Sequence, residues 1–202
     1  MNILIKSGVC LLLFSCAVLP QEAYNRLAVN WPKARDLSIV AHYTPTIDIQ
    51  LDKEYNDNIS SSDSMVALTD GIGYFSNYKL FKTYAIAGKK YRATLYGFCN
   101  CIAGKKDFFR PFLAVIDTEG DPLPINLIRH DIILFTEQYS STLPLHTDFE
   151  WEFSVASTGF YKLLIYSNNS NMAAGVEDID SKKYPGLYFK PTGDFMIVIQ
   201  EE

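Results

Sequence analysis

Residues 149–166 read Phe149-Glu150-Trp151-Glu152-Phe153-Ser154-Val155-Ala156-Ser157-Thr158-Gly159-Phe160-Tyr161-Lys162-Leu163-Leu164-Ile165-Tyr166. Phe149, Trp151, Phe153 and Val155 alternate with Glu150, Glu152 and Ser154, the two-residue period of a strand with one buried face. Ser157-Thr158-Gly159 has turn chemistry, and residues 160–166 form a second run of aromatic and branched side chains. The spacing predicts a hairpin at the centre of an all-β core.

The same signals continue outward in both directions. Residues 47–51 alternate Ile, Asp, Ile, Gln and Leu, a first strand, whereas residues 52–64 are rich in Asn, Asp and Ser and read as a loop. A short strand fits residues 64–69. Beyond Asp70-Gly71-Ile72-Gly73, a long strand over residues 74–86 sets Leu80, Tyr84 and Ile86 on one parity and Phe81, Thr83 and Ala85 on the other. Ala87-Gly88-Lys89 turns the chain into residues 91–98, with Tyr91, Ala93 and Leu95 on one face. Residues 112–116 are an unbroken apolar run, expected where both strand faces are covered. Turn residues 117–122 close that run. Strands at residues 132–135 and 195–200 complete an all-β, antiparallel β-sandwich of jelly-roll type.

The chain has 202 residues, of which 48% are hydrophobic, enough to bury a core without a disulfide framework. Its 13 Tyr and 13 Phe favour strands over helices. A net charge of −5 with no basic run argues against nucleic acid, whose binding rests on phosphate neutralisation.

Residues 1–15 carry one charge, Lys6, and an apolar run too short to span a bilayer, matching an export signal. Leu13-Phe14-Ser15-Cys16 is similar to the bacterial lipoprotein box, which implies acylation of Cys16 and an outer-membrane lipoprotein facing the periplasm. Cleavage after Ser15-Cys16-Ala17 is the alternative, giving a soluble periplasmic or secreted protein. Residues 16–43 then form a tether, broken at Trp31-Pro32, and residues 44–202 one sandwich domain.

Ala87-Gly88-Lys89-Lys90-Tyr91, Asp117-Thr118-Glu119-Gly120 and Thr158-Gly159-Phe160-Tyr161 resemble turns of the secreted pre-peptidase C-terminal domains. Residues 74–200 also resemble the maltose-operon periplasmic protein family. The residues that carry this likeness are Arg110-Pro111-Phe112-Leu113-Ala114-Val115-Ile116-Asp117 and the closing Thr192-Gly193-Asp194-Phe195-Met196-Ile197-Val198-Ile199. That resemblance implies an exported accessory protein tied to saccharide uptake. Neither family brings catalytic residues, and the Cys99-Asn100-Cys101 group belongs to neither pattern.

Several residues could carry chemistry. Cys99 and Cys101 would lie about 6.6 Å apart in an ideal strand, near the upper limit for a disulfide. In an oxidising compartment a local disulfide is the first reading; inert or intermolecular thiols and a redox or copper site are the others. Asp117, Glu119 and Asp121, like residues 177–180, could hold Ca²⁺ or serve as turn residues. Tyr184, Tyr188 and Phe189 could form a platform for a sugar or a peptide, or pack in the core. His42, His130 and His146 lack metal-ligand spacing to one another. Glu150 and Glu152 share a strand face, where they read as a solvated surface rather than a catalytic pair. No nucleophile elbow, zinc-protease motif or phosphate loop is present, and no cofactor is implied. The expectation is a non-enzymatic envelope protein that binds a glycan or an envelope protein. Assembly through a sandwich edge is the alternative, and a secreted hydrolase-type enzyme the third reading.

Overall fold

The computed structural model describes residues 40, 42–43, 47–67, 75–102, 105–133, 145–167 and 187–202. Within them the elements are all strands: β1 (Ile47–Asp48), β2 (Tyr55–Ile59), β3 (Met65–Ala67), β4 (Phe75–Ala85), β5 (Lys90–Ile102), β6 (Lys105–Phe109), β7 (Pro111–Ile116), β8 (Pro122–Leu123), β9 (Asn126–Ile133), β10 (His146–Ser154), β11 (Gly159–Ser167), β12 (Leu187–Lys190) and β13 (Gly193–Glu201). One sheet runs β1-β4-β11-β7-β8, with β3 also on β4. The other runs β12-β6-β5-β10-β9, with β13 joining β5 to β2. Described pairings are antiparallel except β1 with β4 and β12 with β6. The expected all-β sandwich is what forms.

Its core lies between the sheets. Phe81 of the first sheet meets Phe195 of the second edge to face at 6.0 Å, and Phe112 meets Phe149 at 6.0 Å. Tyr91, Ala93 and Leu95 are fully buried, on the shared face that their alternation predicts. On β4 the parity resolves in favour of Phe81, Thr83 and Ala85, which point inward, while Tyr84 stands exposed. The apolar run of β7 is also explained. Ala114 contributes to a second small cluster with Val40, Val66, Tyr78 and Leu164 on the far face of its sheet. Val40 has no exposed surface, so the packed part of the chain reaches back at least that far.

The predicted hairpin is not one. β10 pairs with β5 and β9, whereas β11 pairs with β4 and β7, so the chain crosses from one sheet to the other between them. Alternation reports that each strand has a buried face. It does not report whether two successive strands share a sheet or face each other across the core.

The crossing is an arch, and a second arch lies against it between β4 and β5. Gly88 N donates to Val155 O at 2.9 Å, Val155 N to Lys89 O at 3.2 Å, and Ala87 N to Thr158 Oγ1 at 2.9 Å. Each arch is held from inside by a buried tyrosine. The Tyr161 hydroxyl donates to Ser157 O at 2.8 Å and accepts from Ser157 N at 3.3 Å. The Tyr91 hydroxyl accepts from Ile86 N at 2.8 Å. Each phenol thus satisfies arch backbone that would otherwise face the core without a partner.

Two further differences bear on the site. β2 occupies the stretch expected to be a loop, because pairing with β13 satisfies its backbone while Asn56 and Asn58 face outward. β5 runs past Phe98 to Ile102 by gaining β6 as a partner.

Tyr161→Phe should lower unfolding free energy by about 1–3 kcal/mol, the cost of stranding buried backbone groups. Denaturant titration should show a lower midpoint with an unchanged slope.

Candidate functional site

β5 changes neighbours partway along one side. From Tyr91 to Gly97 it pairs with β13, and from Cys99 to Ile102 with β6. At this fork β6 and β13 diverge, and Phe109 fills the crotch. A Cβ on Gly97 would lie 2.1 Å from Phe109 O, and one on Gly193 would lie 2.7 Å from Phe109 Cβ. Only residues without side chains let the three backbones approach so closely. Thr147 fastens the junction from β10, donating to Phe109 O at 3.0 Å and within reach of Gly97 O at 3.3 Å.

The divergence opens a cleft of about 480 Å³, within the range of small-molecule sites. It lies at the end of the sandwich opposite the tyrosine arches, since β5 runs from Lys90 to Ile102 between the two. Asn58, Ser60, Phe98, Cys99, Lys190 and Asp194 are among its lining residues. Asn58 Nδ2 donates to Asp194 Oδ1 at 2.8 Å, so an amide and a carboxylate from paired strands are held side by side. The cleft therefore offers donors and acceptors, hydroxyls, a cation and an aromatic ring.

The outer face of the same sheet carries a different feature. Arg129 donates from Nε to Asp131 at 2.8 Å, from Nη1 to Glu150 at 3.1 Å, and from Nη2 to Asp148. Arg92 lies 3.7 Å from Glu150 and also pairs with Glu202, and Lys90 pairs with Glu152 at 2.5 Å. The acidic face is therefore not the solvated surface that alternation suggests. Its carboxylates are partly covered and matched to cations on neighbouring strands, which a single strand's sequence cannot show. Burial raises the pKa of Asp148, with the Arg129 charge opposing that shift and Glu150 adding to it.

The sequence candidates fall in several places. Cys99 is disulfide-bonded, and it lines the cleft. Cys101 follows two positions on in β5, with its side chain outside the described residues. Tyr188 and Phe189 lie on β12 directly before Lys190 of the cleft. Tyr184, Cys16, Trp31 and residues 177–180 lie outside the described residues. Asp117 Oδ1 accepts from the backbone N–H groups of Glu119, Gly120 and Asp121 at 2.8–2.9 Å, so this carboxylate organises its own turn. No group of three His, Cys, Asp or Glu among the described residues could hold a metal ion. His146 is buried beside Tyr96, and His130 stacks on Phe149 at 4.3 Å. Sequence reasoning missed Asn58, Lys190 and Asp194, because they meet only through the pairing of β2, β12 and β13 to the rest of the sheet. The sole hint was the Asn-rich alternation of residues 55–59.

No protein-family model matches the chain, that of the maltose-operon proteins included, and no curated protein matches it. Solved structures align with it at low similarity, among them the following three. A pre-peptidase C-terminal domain of collagenase from Bacillus anthracis aligns over 85% of this chain and 100% of its own (8% identity, TM-score 0.27). A surface-associated copper-binding protein from Methylomicrobium album BG8 aligns over 78% and 99% (14% identity, TM-score 0.34). A periplasmic inhibitor of g-type lysozyme from Salmonella Typhimurium aligns over 79% and 100% (12% identity, TM-score 0.27). The functional reading rests on the site itself.

Arg129→Ala leaves Asp148 as a desolvated charge without its cation and should cost on the order of 3 kcal/mol near neutral pH. Asp148 already has a raised folded-state pKa. Removing Arg129 raises it further, so the variant's deficit is largest at neutral pH and shrinks as pH falls through that pKa and Asp148 takes up a proton. Thermal midpoints of the two proteins across acid to neutral pH measure this.

Proposed function

We propose that the chain is a non-catalytic binding protein of the bacterial cell envelope, and that the fork cleft takes a saccharide. One observation carries this reading: the hydrogen-bonded Asn58–Asp194 pair in a cleft of about 480 Å³ that Phe98 also lines. A sugar presents adjacent hydroxyls, each both donor and acceptor, beside apolar C–H faces. An amide, a carboxylate and serine hydroxyls match the hydroxyls, and an aromatic ring matches the C–H face. Tyr188 and Phe189, directly before Lys190, extend the same lip of the cleft in this proposal. The non-catalytic role is supported by the pairing of Glu150 and Glu152 with Arg129, Arg92 and Lys90, which leaves neither as an acid or a base poised for chemistry.

The envelope location rests on the export signal over residues 1–15 and on Cys16. In this proposal Cys16 carries acyl chains of the palmitate type in the outer membrane, and the domain faces the periplasm. Residues 17–39 serve as the tether, and Cys99 pairs with Cys101. In this proposal the protein serves saccharide uptake, a role that the polar lining of the cleft and the export signal support.

A glycan array should give one class of saccharide that binds, and calorimetry then tests the site. Asn58→Ala and Asp194→Asn should each weaken binding about 10-fold or more, the cost of losing a hydrogen bond to a fixed or charged group. Full affinity in both variants contradicts the assignment. Cys16→Ser should move the protein from the membrane fraction to the soluble one, and a variant that stays with the membrane rules out the lipid anchor.

A further inference from the structure

The outer face of the first sheet is covered at one end and exposed at the other. Val40 and Val66 pack with Tyr78 and Leu164, and Leu80 and Tyr166 lie against the same cluster. Further along β4 and β11, Tyr84, Ile86 and Phe160 stand 50%, 45% and 55% exposed, three of the five large apolar side chains that reach solvent among the described residues. Tyr84 and Phe160 are opposite in register, and their rings meet edge to face at 5.3 Å with planes at 71°. The Lys82 ammonium lies 5.1 Å from the centre of the Phe160 ring and pairs with Asp48 of β1 at 3.1 Å.

The arches hold these rings in place. β4 ends at Ala85 and β11 begins at Gly159, so both rings stand where Ala87 N donates to Thr158 Oγ1 and Gly88 N to Val155 O. Thr118 braces the start of β11, since a Cβ added to Gly159 would come 2.7 Å from Thr118 Cγ2. Rings fixed before binding lose little freedom when a ligand arrives. Size and charge narrow the occupant. Three half-exposed side chains offer on the order of 300 Å² of apolar surface, well short of the ~800 Å² per partner of a stable protein interface. The Asp48 carboxylate, 65% exposed and one ion pair away from the rings, opposes entry into the apolar layer of a membrane. What remains is a small ligand with C–H faces for the rings and hydroxyls for a carboxylate and an ammonium.

We infer that Tyr84 and Phe160 form a second saccharide site, on the other sheet and at the opposite end of the sandwich from the fork cleft. The two rings make a corner that takes the C–H face of one sugar unit. At its side, the Lys82 ammonium donates to that unit's hydroxyls and the Asp48 carboxylate accepts from them. Lys162, opposite Lys82 in register, adds an amine on the same face. The site shares the ligand class proposed for the cleft and none of its residues. Two sites at opposite ends let one molecule bridge two saccharide chains, with a gain in avidity that neither site supplies alone.

The experiment sets the full chain on a glycan array as wild type, as the ring variant Tyr84→Thr/Phe160→Thr and as the cleft variant Asn58→Ala/Asp194→Asn. Threonine suits a strand and both rings are half exposed, so the ring variant should keep a near-native thermal midpoint. The cleft variant should retain a set of glycans. The ring variant should bind that set about 10-fold or more weakly, the cost of losing aromatic burial. In the wild type, ring resonances of Tyr84 and Phe160 should shift when a retained glycan is added, a reading that does not depend on how the variant folds. Unchanged binding by the ring variant, or shifts confined to the cleft, overturns the proposal and leaves the cleft assignment standing. Loss in the ring variant alone supports the proposal and contradicts the cleft. A silent array overturns both. Binding to phosphatidylethanolamine–phosphatidylglycerol vesicles that the ring variant loses assigns the rings to a membrane, and a dimer that the ring variant dissolves assigns them to a second copy; either overturns the proposal.

Discussion

The buried hydroxyls of Tyr91 and Tyr161 hold the two arches that pass the chain between sheets, and the rest of the structure depends on them. An arch turned over a hydrophobic core leaves backbone N–H and C=O groups where water cannot serve them. Each phenol lies in the core with its ring and reaches back to the arch with its oxygen, four or five residues upstream. Because the arches also bond to each other through Gly88 and Val155, β4, β5, β10 and β11 enter the core in one fixed mutual register. That register decides which side chains meet across the sandwich, from Phe81 with Phe195 to Phe112 with Phe149.

The consequences separate along the length of β5. At its start the arches close the sandwich with backbone bonds and buried rings. At its far end it exchanges β13 for β6, and the fork needs Gly97 and Gly193 so that Phe109 can sit between the backbones. The cleft opens beside that junction. Across β5, the outer face of β9 and β10 carries carboxylates paired to Arg129 and Arg92. One sheet therefore holds the cleft on one flank and the ion-paired acidic face of β9 and β10 on the other.

Much of this was legible in the order of residues. The alternation of Phe149, Trp151 and Phe153 and that of Tyr91, Ala93 and Leu95 identified strands and their buried faces, and the turn motifs with a following tyrosine marked both arches. Two of the three turn motifs end in the tyrosine that holds an arch. Pairing was not legible, because local pattern is blind to which sheet a strand joins. For that reason residues 149–166 read as a hairpin, and β2 looked like a loop, since its Asn and Asp side chains disfavour a strand until β13 supplies a partner. The site suffered most. Asn58 and Asp194 are 136 residues apart, and Glu150 looked solvated because Arg92 and Arg129 reach it from other strands.

The arch between β10 and β11 is the claim from which the register, the fork and the acidic edge all follow, and solution NMR of the labelled full chain tests it most directly. Cross-strand contacts from Trp151 should run to Ala93 of β5 and Leu127 of β9, and those from Leu163 to Phe81 of β4 and Val115 of β7. Backbone contacts between Trp151 and Leu163, as in a hairpin of β10 with β11, would contradict the account.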